Sequence, residues 1–227
     1  MELFESNEAR KEAGHALSRL LSSYKDTPVL LMLSGGSALS LLEYVDIDIL
    51  DQRVTVTTLD ERFSTNPSIN TFAQIKATPF FSYSIERNAH LIDTTVQEGD
   101  DLESMSSRFE TALREWCEKH PAGVVITTMG IGTDGHTAGI FNEGHNKDFH
   151  SPSWVIGYSL PETITPYTER ITVTFTFLKT QVDHAILFAS GGDKQQLVHA
   201  LLAQTLPEKM PMAIFSEMKD VSIYLEI

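Results

Sequence analysis

The sequence predicts an α/β fold, Rossmann-like, with a mainly parallel sheet and helices on both faces. Three observations carry this. Short continuous apolar runs such as TPVLLML (27–33) and AGVVITTMG (122–130) have the length and unbroken hydrophobicity of strands buried on both sides. Between such runs lie segments whose apolar residues recur at three- and four-residue steps. No repeat, low-complexity stretch or linker breaks the alternation, so the 227 residues read as one domain, 1–227.

In chain order, 6–24 reads as a helix with Ala13, Ala16, Leu17, Leu20, Leu21 and Tyr24 on its apolar face. The strand at 27–33 stops at SGGS (34–37), and ALSLLEYV (38–45) is helical again. RVTVTTLD (53–60) is rich in β-branched residues and is the next strand. Residues 68–77 read as a helix and NAHLID (88–93) as a short strand. Asp100 with Glu103 resembles a capping pair before a helix that presents Leu102, Met105, Phe109, Leu113 and Trp116. Strands follow at 122–130, 154–160 and 170–178. HAILFAS (184–190) ends at GGDK and enters the helix QQLVHALLAQ, and VSIYLEI (221–227) closes the chain as a strand.

Hydrophobic content of 41% and charged content of 21% are those of a globular protein in water. No stretch approaches the ~20 apolar residues of a membrane helix. The opening MELFESNEARKEAGHAL has no basic stretch followed by an apolar core, so no secretory signal is expected. The lone cysteine, Cys117, cannot form an internal disulfide and reads as a half-buried thiol, which points to a reducing cytoplasm. A net charge of −14 argues against nucleic acid as a partner. It does not exclude an anionic substrate, because a few local cations set the sign of a pocket.

In open parallel sheets, ligands bind beyond the carboxyl ends of the strands. Four predicted strand ends carry unusual residues. At SGGS, Gly35 and Gly36 let the backbone approach a ligand, and Ser37 begins a helix whose free N–H groups suit an anion. Gly-Gly turns between strand and helix are also common for purely structural reasons. At LDERF, Asp60, Glu61 and Arg62 are consecutive charges where an apolar strand stops; Arg62 carries a planar donor fork suited to phosphate. At MGIGTDGHTAG, Gly130, Gly132 and Gly135 leave the backbone free to fold sharply around Asp134 and His136, an acid two residues before a side chain able to take a proton from water. At GGDK, Lys194 falls in the first helical turn, where the helix dipole disfavours a cation unless an anion is bound. Each has an ordinary alternative, a solvated strand end or a tight turn, but one pocket explains all four together.

SGGS at 34–37, DER at 60–62 with Asn70, GIGTDGHTA at 130–138, ERIT at 169–172 and GGDK at 191–194 occur in an order that resembles the 6-phosphogluconolactonases. The resemblance covers about Leu30 to Leu202, and DGHTA combined with DER is its specific part. The wider group includes the glucosamine-6-phosphate deaminases, with a Rossmann-like fold lacking a dinucleotide. Their loop, DGHIAFNEP, differs: here Thr137 replaces the isoleucine, and Gly139-Ile140 precede Phe141-Asn142-Glu143. The chain departs from the lactonase pattern at Ala38-Leu39, where Thr-Pro is usual, and at Ile140-Phe141-Asn142, where Leu-Phe-Pro is usual. Segment 203–227 matches only weakly.

The resemblance implies hydrolysis of 6-phosphoglucono-δ-lactone to 6-phosphogluconate. His136 would be the general base, held by Asp134, with Arg170 or loop amides facing the oxyanion. Gly35, Gly36, Ser37, Arg62 and Lys194 would hold the phosphate, and Asp60 and Asn70 would orient the pocket or contact hydroxyls. It implies no cofactor and no metal. His136, His145 and His150 lack metal-ligand spacing; His15, His90, His120, His184 and His199 read as surface or packing residues. The expected partner is a small-molecule sugar phosphate, with no nucleic acid and no membrane, acting on a monomer or small homo-oligomer. Two other functions fit the same residues: amino-sugar phosphate deamination or isomerisation using His136 and Glu143, and a non-catalytic sugar-phosphate sensor.

Overall fold

The computed structural model describes residues 1–142, 149–206 and 210–227. Among them the elements run β1 (Glu2–Ser6), α1 (Ala9–Ser23), β2 (Val29–Leu33), a 3-10 helix (Gly36–Tyr44), a short 3-10 turn (Ile47–Ile49), β3 (Val54–Thr58), β4 (Asp60–Arg62), α2 (Thr71–Lys76), α3 (Pro79–Glu86) and β5 (His90–Leu91). They continue with α4 (Leu102–Lys119), β6 (Val124–Met129), β7 (Val155–Ser159), β8 (Glu169–Val173), α5 (Phe175–Thr180), β9 (His184–Ser190), α6 (Gly192–Leu202), a 3-10 helix (Pro211–Glu217) and β10 (Val221–Glu226).

Seven strands form one sheet in the order β1-β10-β9-β6-β2-β3-β5, and every neighbouring pair is parallel. The expected fold class holds. β2 and β3 are buried at every residue because both faces are covered. On one face Leu31, Leu33, Val54 and Val56 meet α1, the 36–44 helix, α2 and α3. On the other, Leu30, Met32 and Leu187 meet α4, α5 and α6. Alternate residues of a strand face opposite ways, so the continuous apolar runs serve two cores at once.

The sequence reading missed a second sheet, antiparallel and three-stranded, in the order β4-β8-β7. It draws on the end of the segment read as the strand 53–60, on 154–160 and on 170–178. The segment 170–178 is not one strand. β8 stops at Val173, and Thr174 accepts a hydrogen bond from Phe177 N at 3.2 Å to cap α5. A side-chain cap thus overrides the β-branched run TVTFTF. The first helix begins at Ala9 rather than residue 6, because Glu2–Ser6 pairs with β10 as an edge strand. Residues 36–44 are 3-10, and α3, capped by Thr78 with Pro79 at its first turn, was not expected. The capping pair of α4 is Asp101 with Ser104, one residue beyond the Asp100–Glu103 pair. His184 joins Tyr24 Oη at 2.7 Å and Asp220 at 2.7 Å, tying α1 to the starts of β9 and β10.

Glu61 anchors the junction of the two sheets. It is fully buried and accepts from the backbone N–H groups of Arg62, Thr71 and Phe72, so one carboxylate caps α2 from β4. Burial pushes its pKa from 4.5 up to about 7; neighbouring Asp60 adds to the rise, and the three amides oppose it. The folded state therefore binds this proton more tightly than the unfolded chain. The stability Glu61 contributes is complete below about pH 4.5 and lost as pH rises through about 7. The shift corresponds to about 3 kcal/mol. The difference in urea-unfolding free energy between wild type and Glu61→Gln is expected to change by that order between pH 5 and 8. A difference independent of pH would show that the carboxyl titrates normally.

Candidate active site

Strand order reverses between β2 and β6, which lie side by side with Leu33 opposite Thr128. Both strands end at glycine loops, so SGGS and GIGTDGH leave the sheet together, and Ser34 N still bonds Thr128 O at 3.2 Å. A cleft of about 230 Å³ opens there. Gly35, Gly36, Ser37, Asp60, Arg62, His136, Arg170 and Lys194 all line it, joined by Gly130, Gly132 and Thr137–Gly139. All four strand ends singled out in the sequence thus converge. Two expected residues lie off the lining. Asp134 stands behind His136, and Asn70 is the buried N-cap of α2, its Oδ1 accepting from Ala73 N at 2.8 Å. Glu143 and His145 lie outside the described residues.

His136 Nδ1 is 2.6 Å from Asp134 Oδ1, which also accepts from His136 N at 3.1 Å. Burial alone would raise the Asp134 pKa, but the amide and imidazole of His136 hold it below the usual carboxylate range. An ionised carboxylate only accepts, so Nδ1 is the donor of this pair, and in the neutral imidazole the lone pair is on Nε2. Gly132 makes this pairing possible: a Cβ there would stand 2.1 Å from His136 Nδ1 and 2.5 Å from Asp134 Oδ1.

After His136 the chain makes a tight turn, with Thr137 and Ile140 bonded in both directions and positive φ at Ala138 (48°) and Gly139 (66°). Both residues in the left-handed region define a type I′ turn. The small sheet pins it: Thr172 Oγ1 donates to Ala138 O, and Tyr158 Oη donates to Gly139 O. A Cβ on Gly139 would meet Asp60 Oδ2 at 2.8 Å, so only glycine lets the turn rest on Asp60.

The charge of the cleft is opposite to that of the chain. Its lining holds Arg62, Arg170 and Lys194 against one carboxylate, Asp60. Arg62 and Arg170 are register partners across β4 and β8, an arrangement of like charges that destabilises a sheet unless an anion lies between them. Their demands are poorly met within the protein. Arg170 is 4% exposed, its nearest carboxylate oxygen is Asp60 Oδ2 at 3.7 Å, and its Nε has no hydrogen-bond partner among the described residues. Burial lowers its pKa, and Arg62 adds to the lowering, while Asp60 and Tyr158 oppose it. Arg62 Nε is likewise unpartnered, and burial lowers the pKa of Lys194. The sequence reading named Glu61 only as one of three charges at a strand end and Gly132 only as a flexible loop glycine, and it did not single out Tyr158 or Thr172. The run GIGTDGHTAG carried a signal for Gly132; nothing local marks Tyr158 or Thr172.

Fold and cleft together define an open α/β protein with a cation-lined cleft, beside a His–Asp pair, at the reversal of its sheet. Residues 6–224 match the family of glucosamine-6-phosphate isomerases and 6-phosphogluconolactonase. The chain belongs to that family. A 6-phosphogluconolactonase of the Arabidopsis thaliana chloroplast is 29% identical over 119 residues, 48% of this chain and 35% of that protein. The 6-phosphogluconolactonase of Chlamydia trachomatis is 32% identical over 111 residues, 49% of this chain and 38% of that protein. The match therefore spans little more than a third of either relative's length. A 6-phosphogluconolactonase structure from Trypanosoma cruzi superposes with a TM-score of 0.78 at 19% identity, covering 99% of this chain and 93% of that one. Among the described residues no helix is long and apolar enough to cross a membrane.

Gly132→Ala is expected to separate His136 from Asp134 and abolish the downfield proton resonance of the Nδ1–H bond. Gly130→Ala is the control, because a methyl there meets nothing closer than 3.8 Å and the resonance should persist. Retention of the signal in Gly132→Ala would show that the loop yields instead of the pair.

Proposed function

We propose that the protein hydrolyses 6-phospho-D-glucono-1,5-lactone to 6-phosphogluconate, the lactone-opening step of the oxidative pentose phosphate pathway, in the cytoplasm. One observation carries the reading: a His–Asp pair and three cations line or adjoin a single cleft, built from the DER, DGHTA, ERIT and GGDK motifs. Gly35, Gly36 and Ser37 offer the start of the 36–44 helix to the phosphate, and Arg62 and Lys194 neutralise it. Asp60, at the floor of the cleft, is available to sugar hydroxyls, and Asn70 acts on the pocket only through α2. Nε2 of His136 takes a proton from water as the oxygen adds to the lactone carbonyl. Arg170 stabilises the oxyanion. The tetrahedral intermediate collapses by breaking the bond to the ring oxygen, which receives the proton back from His136. The new carboxylic acid then loses its proton to solvent, and the product leaves as a carboxylate. This step needs no metal or cofactor.

Amino-sugar phosphate deamination fits the same family, and it would use Glu143 with His136. A non-catalytic sugar-phosphate sensor would keep the cations without needing the His–Asp pair. Acid release from freshly made lactone, measured above its spontaneous opening, tests the proposal; ammonia release from glucosamine 6-phosphate, or binding without turnover, would replace it with one of the alternatives.

His136→Ala is expected to lower kcat by about 10²–10⁴-fold while leaving phosphogluconate binding nearly intact. Wild-type turnover in that variant would remove His136 as the base. Arg62→Ala should raise KM about 10-fold or more with a smaller change in kcat, the size of a lost charged hydrogen bond. An unchanged KM would place the phosphate elsewhere.

A further inference from the structure

Among the described residues, Asp134 alone hydrogen-bonds the His136 ring, and it fixes one corner of it. A single bond at Nδ1 leaves the imidazole free to swing about that contact, and both side chains reach solvent, 35% exposed for His136 and 55% for Asp134. A base that must point Nε2 at one water needs a second restraint. The ring of Phe141 supplies it, lying 4.2 Å from the His136 centroid with the two planes only 22° apart. Phe141 is 5% exposed and rooted in a small apolar cluster with Ile140, Phe149, Tyr158 and Leu160, so its plane is set by packing. The Arg170 guanidinium also lies over this ring, 4.9 Å from its centroid. One aromatic side chain therefore contacts both the proposed base and the proposed oxyanion donor, and it has no lone pair to compete for the transferred proton.

We propose that Phe141 is a positioning residue, whose ring sets the plane of the His136 imidazole and its placement relative to Arg170. The inference rests on the lactonase reading for its kinetic consequence, but not for its geometry. Phe141→Leu keeps an apolar side chain in the cluster and removes the ring; Phe141→Tyr keeps the ring. Protons over an aromatic face resonate upfield, so the His136 ring protons, assigned by their absence from the His136→Ala spectrum, should be displaced upfield in wild type. They should move back in Phe141→Leu and stay displaced in Phe141→Tyr. In parallel, Phe141→Leu should lose about 10–100-fold in kcat, the cost of a base slightly out of place, with KM within about twofold of wild type. Phe141→Tyr should retain kcat.

Undisplaced His136 resonances in wild type would overturn the proposal whatever the variants do. So would a Phe141→Leu protein with unchanged kcat, or one whose KM rises as much as its kcat falls. A wild-type protein that does not open the lactone would fail the functional reading alone, and the resonances would still decide whether Phe141 holds the imidazole.

Discussion

The site depends on the parallel register of β2 and β6. Leu33 lies opposite Thr128, so both strands run out at the same level and release their glycine loops side by side. Because the strand order reverses between them, no helix from a direct β2–β6 crossover covers the gap. What fills it is backbone: SGGS from one side and the His136 loop from the other. The remaining parts come from further off. β9 brings Lys194 through the first turn of α6, and the chain just past β3 brings Asp60 and Arg62.

The antiparallel sheet is the second organising device. β4 is three residues long, yet it carries Asp60, Glu61 and Arg62 in three directions of use: toward the cleft, into the core as a cap for α2, and across to Arg170. β8 supplies Arg170 and, two residues on, Thr172, which holds the turn beside His136. The His136 loop and the two arginines are thus held by one small sheet, although they arise from distant parts of the chain.

The main sheet was legible because strands covered on both faces must be continuously apolar, and four of the motifs sit where such runs stop. The site residues were legible for the same reason: charge and glycine at the end of a buried strand stand out. The small sheet was not legible. Its strands alternate less clearly, and TVTFTF reads as strand until Thr174 is seen capping α5. Tyr158 and Thr172 act through hydrogen bonds to carbonyls 19 and 34 residues away, and no local pattern encodes such contacts. Gly132 was noted as a flexible position, whereas its role is steric: the absence of one carbon makes room for the His136–Asp134 hydrogen bond.

The facing arginines on β4 and β8 bear on the thermodynamics of the whole chain. Their repulsion is present only when the strands are paired, and the phosphate dianion of the proposed substrate, seated between them, would bind the folded chain and find no such site on the unfolded one. Anion concentration then becomes a variable of folding, in proportion to RT ln(1 + [L]/Kd). On that reading, melting curves recorded in phosphate or sulfate buffer would report on a liganded protein, and those in a buffer of bulky organic ions on the chain alone.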